Sequence, residues 1–260
     1  MKIALCSGSF KPEIVDDTFT IYDIFAIAEK LNFSGLEVRE DLLNNKPADL
    51  PHLKKLAAEK GMELIYASMN WPVNEDLSIM EENVPTLIQR MDEAVTLGSK
   101  LLKTGFGPVD GLDELTDAHF NVLKELGGAA ETRNITLCLE NSDKFSGSNA
   151  STIQDVVAEV NSASLKITYD AGNFALAGKD PVVALETMLE HVAYIHLKDV
   201  KKGETVNTYM GNGDVDYAAV FRILQNIGYH GYGCFEFSMN TGRLIEVEKS
   251  LKYMREKERV

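Results

Sequence analysis

Short apolar runs recur along the chain and alternate with segments that have helical periodicity. Apolar residues at the 3.6-residue spacing of a helix face predict helices that begin near Ile21, Leu50, Val84, Phe120, Ile153, Pro181, Tyr217 and Leu244. The runs predicted as strands lie roughly 25 to 40 residues apart and are KIALCSG, GLEV, MELIYASM, KLLKTGFG, ITLCLEN, LKITYDAGN, VAYIHLKD and YGCFEFS. The chain is therefore predicted to repeat a strand–helix unit about eight times.

An unbroken series of such units is typical of a (β/α)8 TIM barrel, in which parallel strands close a cylinder inside a ring of helices. An open, doubly wound sheet is the competing arrangement. No GxGxxG segment follows the first strand, which counts against a dinucleotide-binding fold of that kind. No linker, low-complexity segment or longer repeat divides the chain, so we predict an α/β fold with a single TIM-barrel domain over residues 1–260.

The chain is acidic, with a formal net charge of −14 over 260 residues. A nucleic-acid surface needs concentrated Lys and Arg to neutralise phosphates, so we expect no nucleic-acid partner. The apolar runs fall well short of the roughly 20 residues that cross a bilayer, and the run at the N-terminus is too short for a signal peptide. We therefore expect no membrane partner.

The three cysteines, Cys6, Cys138 and Cys234, lie in or beside predicted strands and lack the close spacing of a metal-binding pair. Buried free thiols in a reducing cytoplasm are the favoured interpretation, and a disulfide is the alternative. We therefore expect a cytoplasmic protein. Association with further copies of the chain is left open.

Four of the predicted strands carry an ionisable residue at their carboxyl end. Successive side chains of a strand point to opposite faces, so one face of each of these strands is apolar and the other presents the ionisable group. The four residues are Glu140, Asp170, His196 and Glu236. In a TIM barrel the carboxyl ends of the strands meet at one mouth, so these side chains are expected to converge.

Three carboxylates and one imidazole form a hard, oxygen-rich set of ligands, which predicts a divalent-metal site. Mn²⁺ is the first choice, and Mg²⁺, Co²⁺, Fe²⁺ and Zn²⁺ remain alternatives. Taken singly, a strand-end Glu is more often a solvated rim charge, and a His beside an apolar run is more often part of the core. The prediction depends on the repetition of such residues at successive strand ends.

Five short segments in the second half carry a family resemblance: LEN around Glu140, YDAGN around Asp170, IHLKD around His196, GNGDVDYAAVF at residues 211–221 and FEF around Glu236. In this order and spacing the sequence resembles the sugar phosphate isomerase/epimerase superfamily of xylose isomerase-like barrels. That superfamily includes tagatose 3-epimerase-like enzymes, hydroxypyruvate isomerase and keto-inositol dehydratase. The resemblance extends over essentially the whole chain.

The resemblance implies an enzyme that acts on a small keto-sugar, hydroxyketone or polyol through a cis-enediolate. It further implies that the metal chelates the carbonyl and the neighbouring hydroxyl. Glu140 and Glu236 would remove and return a proton from opposite faces of the substrate. Proton return to the same carbon epimerises, and return to the adjacent carbon isomerises. A dehydratase of a keto-polyol or a dehydroshikimate-like substrate is the alternative on the same scaffold.

The chain departs from the family pattern at two places. Many members have a His three residues after the strand-six Asp, where this chain has Asn173, which can hydrogen-bond a hydroxyl but cannot exchange a proton at neutral pH. Epimerase-like members tend to carry an Arg after the strand-seven His, where this chain has Lys201 and Lys202. Both departures bear on the substrate and the reaction; neither affects the predicted metal site.

Six side chains are candidates for binding the substrate: Asn173, Lys198, Lys103, Trp71, Asn70 and Glu37. Trp71 and Asn70 offer an aromatic wall and an amide that suit a sugar, with loop packing as the alternative for Trp71. For Glu37 and Lys103 the alternative is an ion pair inside the barrel. Asp199, beside Lys198, is a candidate for supporting the site from behind.

Two further classes compete with a sugar-converting enzyme. An abasic-site endonuclease-like enzyme shares the fold but uses a three-zinc cluster rich in His, and this chain has 5 His in all. A binding protein that senses a sugar without converting it would keep the barrel, but it would have no need of the complete set of predicted ligands.

Overall fold

The computed structural model describes residues 1–16, 18–43, 50–74, 77–106, 111–141, 149–237 and 243–257. The described strands, in chain order, are β1 (Lys2–Cys6), β2 (Gly35–Arg39), β3 (Glu63–Ala67), β4 (Leu101–Gly105), β5 (Thr136–Glu140), β6 (Leu165–Asp170), β7 (Val192–Leu197), β8 (Asp199–Val200), β9 (Asn207–Thr208) and β10 (Tyr232–Phe235). All except β8 and β9 form one closed barrel of parallel strands, in the order β1-β10-β7-β6-β5-β4-β3-β2. The predicted TIM barrel is confirmed, and the open sheet is wrong because β1 pairs with β10.

The described helices are α1 (Lys11–Val15), α2 (Ile21–Lys30), α3 (Leu50–Lys60), α4 (Asn83–Leu97), α5 (Asp117–Arg133), α6 (Ala150–Val160), α7 (Ala171–Leu176), α8 (Pro181–Met188), α9 (Tyr217–Asn226) and α10 (Arg243–Lys257). Each predicted helix is present. Gly98 ends α4 with φ 83°, a left-handed conformation that costs glycine little. Helices α1 and α7 are additional, and each is too short for its periodicity to be read from the sequence.

The two faces of each barrel strand follow the predicted alternation. On β5, Leu137 and Leu139 pack outward among the residues that join strands to helices, whereas Cys138 points into the barrel. The inner cluster consists of small or compact side chains together with one tyrosine: Ala4, Cys6, Ile65, Cys138, Cys234 and Tyr194. All three cysteines are buried and free, as predicted.

A two-stranded ribbon, β8 with β9, follows β7 at the barrel mouth. The carboxylate of Asp199 holds this segment together: it accepts hydrogen bonds from the backbone N–H groups of Val200, Gly211 and Val215 at 2.9, 2.9 and 3.1 Å. Asp199 therefore shapes the loop after β7. Among the residues that the structure describes, no helix combines the length and the apolar character needed to span a membrane.

Candidate active site

The four predicted ligands meet at the carboxyl ends of the strands. Glu140 ends β5, Asp170 ends β6, His196 lies near the end of β7, and Glu236 directly follows β10. One ligand atom from each of these residues lies within 4.8 Å of the others. From Nδ1 of His196, the nearest carboxylate oxygens of Glu140, Glu236 and Asp170 are 2.6, 3.1 and 3.7 Å away. We call these four residues the ligand set.

The centre of the ligand set contains buried polar atoms held close together. Asp170 and His196 are 0% exposed, Glu140 Oε1 faces His196 Nδ1 at 2.6 Å, and Asp170 Oδ2 faces Lys198 Nζ at 2.7 Å. Lone pairs buried against one another are costly, so the space between the carboxylates and Nδ1 requires a proton or a cation. Their chemistry, carboxylate oxygens and one imidazole nitrogen, fits a hard divalent ion.

The orientation of His196 supports the same interpretation. Its Nε2 lies 2.8 Å from Oε2 of Glu37, so the ring proton of the neutral imidazole belongs on Nε2. The lone pair on Nδ1 then faces carboxylate oxygens and requires a proton or a metal ion between them. Without metal a proton fills this role: burial opposes the charge, but Glu37, Glu140 and Glu236 raise the pKa of His196 well above its ordinary value.

Two buried lysines hold the glutamates of the ligand set. Lys103 Nζ lies 2.6 Å from Glu140 Oε2, and Lys198 Nζ lies 3.0 Å from Glu236 Oε2 and 2.7 Å from Asp170 Oδ2. Burial alone would raise the pKa of each glutamate. Lys103 and His196 nevertheless lower the pKa of Glu140, and Lys198 and His196 lower that of Glu236. Both carboxylates are therefore ionised at neutral pH.

Glu37 lies beneath the ligand set, inside the barrel. It is 0% exposed, and its oxygens accept bonds from Cys6 Sγ, Tyr194 Oη and His196 Nε2 at 3.0, 2.7 and 2.8 Å. Glu37 thus forms the interior ion pair with His196 that was its alternative. A contact between Glu37 and a substrate stays a prediction.

Asn173 lies in the first turn of α7, close behind Asp170. Its backbone N–H bonds to Asp170 Oδ1 at 3.0 Å, and its Nδ2 bonds to the carbonyl of Asn141 at 2.7 Å. Oδ1 of Asn173 is buried without a partner and is free to accept a bond. Asn173 therefore borders the ligand set, and its contact with a substrate stays a prediction.

Asn141 has a structural role that the sequence did not indicate. Its side chain accepts the N–H of Asp170 at 2.8 Å and donates to the carbonyl of Asp170 at 3.0 Å. These two hydrogen bonds extend the contact between β5 and β6 by one residue and fix the backbone of Asp170. The one sign of this role in the sequence is that a polar residue directly follows Glu140 at the end of a predicted buried strand.

Trp71 and Asn70 follow β3 but have different surroundings. Nδ2 of Asn70 donates to Glu40 Oε1 at 2.6 Å, so this amide is engaged in the β3–α4 loop, apart from the ligand set. The indole of Trp71 lies against Gly105, where an added Cβ would come within 2.5 Å of the ring. Gly105 pairs with Glu140 across β4 and β5, so Trp71 lies beside the ligand set.

This fold and site define the class of protein. A family model described as xylose isomerase-like TIM barrel matches residues 25–257, and the chain belongs to that family.

Curated relatives of two kinds are similar to the chain. An inosose dehydratase of Clostridium tetani is 24% identical over 155 residues, 52% of this chain and 52% of that protein. The chain thus matches about half the length of this relative. The L-ribulose-5-phosphate 3-epimerase UlaE of Shigella flexneri is 23% identical over 220 residues, 79% of this chain and 78% of that protein. The family therefore includes dehydratases as well as epimerases.

Solved structures confirm the fold over nearly the full length. The probable 3-DHS dehydratase AsbF of Bacillus anthracis superposes with a TM-score of 0.80 at 15% identity, covering 98% of this chain and 99% of that one. The IOLI protein with a bound zinc atom gives a TM-score of 0.80 at 17% identity, covering 99% and 98%. In the present chain, the donor atoms of the ligand set could hold a metal ion.

Proposed function

We propose that the protein is a divalent-metal-dependent isomerase or epimerase of a small keto-sugar or hydroxyketone. The observation that supports this most strongly is the convergence of the four members of the ligand set, whose ligand atoms lie within 4.8 Å of one another and include two ionised glutamates. Mn²⁺ is the proposed ion, since an oxygen-rich set with one imidazole suits it. Mg²⁺, Co²⁺, Fe²⁺ and Zn²⁺ are the alternatives.

A bound divalent ion would polarise a carbonyl and the neighbouring hydroxyl of the substrate and so acidify the C–H between them. Glu140 and Glu236 would accept and return the proton. They stand at the ends of β5 and β10, which are separated in the barrel by β6 and β7, so they approach a bound substrate from two sides. Lys103 and Lys198 keep the two carboxylates oriented and ionised.

Around this centre, Trp71, Lys198 and Asn173 are the proposed substrate contacts. Trp71 offers an apolar face beside Glu140, and Asn173 Oδ1 offers a free acceptor. Lys103 is proposed to act mainly through Glu140, because its ammonium is 4% exposed and bonded to that carboxylate. Asn70 contributes by shaping the loop that carries Trp71.

The second candidate is a dehydratase of a keto-polyol or dehydroshikimate-like substrate. Two observations favour it: inosose dehydratases are among the relatives, and the ammonium of Lys198 lies 3.0 Å from Glu236, where it can donate a hydrogen bond to a departing hydroxyl. Both reactions begin with the same proton abstraction. They differ in whether the proton is returned or water is expelled.

We further infer a single-domain cytoplasmic enzyme, from the buried free thiols and the unbroken strand–helix series. Its partner is a small keto-sugar or polyol, and the net charge of −14 speaks against nucleic acid. Homo-oligomers are compatible with this proposal.

The test is to measure bound metal in the purified protein and in the variants Glu140→Gln and His196→Ala. Glu93→Gln is the control, because Glu93 is a hydrogen-bonded carboxylate outside the ligand set. In parallel, solvent deuterium incorporation into a panel of ketoses and inososes is followed, with and without Mn²⁺. We expect metal in the wild type and control, loss of metal in both site variants, and metal-dependent deuterium exchange beside the carbonyl.

The products then separate the two candidates. Retention of the carbon skeleton and oxygen count, with changed configuration or carbonyl position, supports the isomerase or epimerase. Loss of water and a new enone absorbance supports the dehydratase. A protein that takes up no divalent metal even after addition of Mn²⁺ contradicts both.

A further inference from the structure

Three hydrogen-bond donors on two other strands of the barrel converge on Glu37. Cys6 lies on β1, whereas Tyr194 and His196 both lie on β7. Strand β2, which carries Glu37, pairs with β1 and β3 and has no contact with β7 in the barrel ladder. The side chain of Glu37 therefore crosses the barrel interior to reach His196.

The groups around Glu37 are hydrogen-bond donors, so Glu37 acts as the acceptor. Cys6 Sγ and Tyr194 Oη lie 3.0 and 2.7 Å from its oxygens and donate to them. The carboxylate thus receives an S–H, an O–H and an N–H. An ionised carboxylate can accept all three, whereas a protonated one would have to give up an acceptor site.

We propose that Glu37 is a positioning residue that fixes His196 with Nδ1 directed at the metal, and that Tyr194 and Cys6 hold Glu37 in place. The proposal rests on the metal site put forward above. A histidine ligand commonly donates its other ring N–H to a carboxylate, which sets the tautomer and the ring orientation. Here the carboxylate comes from β2, which β1 and β10 separate from β7 around the barrel, and from below the mouth.

The reach of the side chain is the critical property. Aspartate keeps the charge of Glu37 but is shorter by one methylene, about 1.5 Å along the chain, so it cannot span the interior to Nε2. Glutamine keeps the reach and an acceptor oxygen but loses the charge. The pair Glu37→Asp and Glu37→Gln therefore separates position from charge.

The experiment measures the affinity for Mn²⁺ and Zn²⁺ by titration calorimetry in the wild type and both variants. We expect Glu37→Asp to bind about 10- to 100-fold more weakly than the wild type, and Glu37→Gln, which keeps the reach but removes one charge near the site, to bind more tightly than Glu37→Asp. Tyr194→Phe removes one of the donors to Glu37 and should weaken binding severalfold. Folding of each variant is checked by its thermal unfolding.

Matched controls come from a second tyrosine–glutamate pair on the outside of the barrel. Tyr66 donates to Glu93 at 2.7 Å, the same distance as Tyr194 to Glu37, without contact with the ligand set. Tyr66→Phe and Glu93→Gln should change stability by amounts similar to the interior variants and leave the metal affinity unchanged.

A second measurement does not depend on metal. In ¹⁵N-histidine-labelled, metal-free protein, the Nε2 proton of His196 should exchange slowly because it is bonded to Glu37. The signal is assigned by its absence in His196→Ala. We expect it to persist in Glu37→Gln and to be lost in Glu37→Asp.

The outcomes separate this inference from the proposed function. A wild type that binds neither Mn²⁺ nor Zn²⁺ but retains the slow Nε2 proton contradicts the metal enzyme and leaves the Glu37–His196 contact standing. Metal binding that is equal in the wild type and both variants, or equally weakened in both, overturns the positioning role. Weaker binding by Glu37→Gln than by Glu37→Asp would show that charge matters instead of reach, and would also overturn it.

Discussion

Lys103 shows how much of the site depends on single buried charges. Its ammonium is 4% exposed and bonds to Glu140 at 2.6 Å. Each charge alone would be costly in the barrel interior, and the pair is tolerated because each neutralises the other. Removal of one partner therefore has a larger effect than removal of both.

We predict that Lys103→Met lowers the free energy of unfolding of the metal-free protein by about 3–5 kcal/mol, because breaking this buried ion pair leaves His196 as the remaining cation in contact with Glu140. The double variant Lys103→Met/Glu140→Gln should recover most of this loss. Urea unfolding measures both. Lys2→Met is the control: its pair with Glu63 is exposed, so the loss should stay below about 1 kcal/mol. A double variant no more stable than the single one would contradict this account.

His196 makes metal binding depend on pH. Its pKa in the metal-free protein is raised, so its charged form stabilises the fold below its ordinary pKa of 6.5, and this stabilisation is lost as the pH rises through the raised value. The metal must displace that proton. We predict that the affinity for Mn²⁺ rises about tenfold per pH unit between about pH 6 and 8, with about one proton released per ion. Calorimetry in two buffers of different ionisation enthalpy counts the protons; no release would show that His196 is already neutral.

At the scale of elements, the β3–α4 loop is held at both ends and carries Trp71 to the mouth. Glu40 at the end of β2 accepts bonds from Ser68, from the backbone of Met69 and from Asn70. Farther along, Asn83 donates to the carbonyl of Trp71 at 2.8 Å. The position of the indole is thus set by neighbouring elements, and Gly105 leaves the space into which it fits.

We predict that Gly105→Ala displaces Trp71, raises KM more than it lowers kcat, and costs about 1–3 kcal/mol of stability through overpacking. Adding Trp71→Ala should relieve the overpacking but not restore KM. Gly128→Ala is the control, because nothing lies within 4 Å of the added Cβ in α5. That substitution should stabilise the protein by roughly 0.5–1 kcal/mol. Unchanged KM in Gly105→Ala would remove Trp71 from the substrate contacts.

The strands and the convergence of the ligand set could be predicted because both depend on local pattern. Alternation of apolar and polar positions fixes which residues face the barrel interior, and closure brings the strand ends together. The role of Glu37 could not be predicted. It lies 159 positions from His196 on a strand that does not pair with β7, so only the closed barrel brings the two together.

Helix α7 differs from the sequence prediction because its start depends on a capping side chain, whereas the predicted helices were found from the spacing of apolar residues. Helix α7 has 6 residues and begins at Ala171, and the side chain of Asp170 accepts the N–H of Asn173 as its N-cap. The same carboxylate thus caps a helix with one oxygen and faces the ligand set with the other. The sequence predicts these residues as part of the strand run LKITYDAGN, because a helix of 6 residues gives too few positions for a pattern.

At the scale of the whole molecule, metal should link the strands of the second half of the barrel. The ligand set joins β5, β6, β7 and the residue after β10, so a bound ion adds stability that the unfolded chain cannot share. We predict that chelation lowers Tm by on the order of 5–10 °C for protein held at about 100 times Kd of Mn²⁺. Scanning calorimetry measures the shift. His196→Ala should show none, and a shift that survives in that variant would place the ion elsewhere.

The ion pairs at the mouth also define an electrical balance. The three carboxylates of the ligand set and that of Glu37 are opposed by the ammonium groups of Lys103 and Lys198, which leaves two negative charges around a neutral His196. A divalent ion brings this enclosed region to electroneutrality, and a monovalent ion does not. The charge balance of the site therefore favours a divalent cation over a monovalent one. A site that is neutral once the metal is bound can take an uncharged polyol without electrostatic cost. A phosphorylated polyol would bring in negative charge, which the two lysines do not offset because they are already paired with carboxylates.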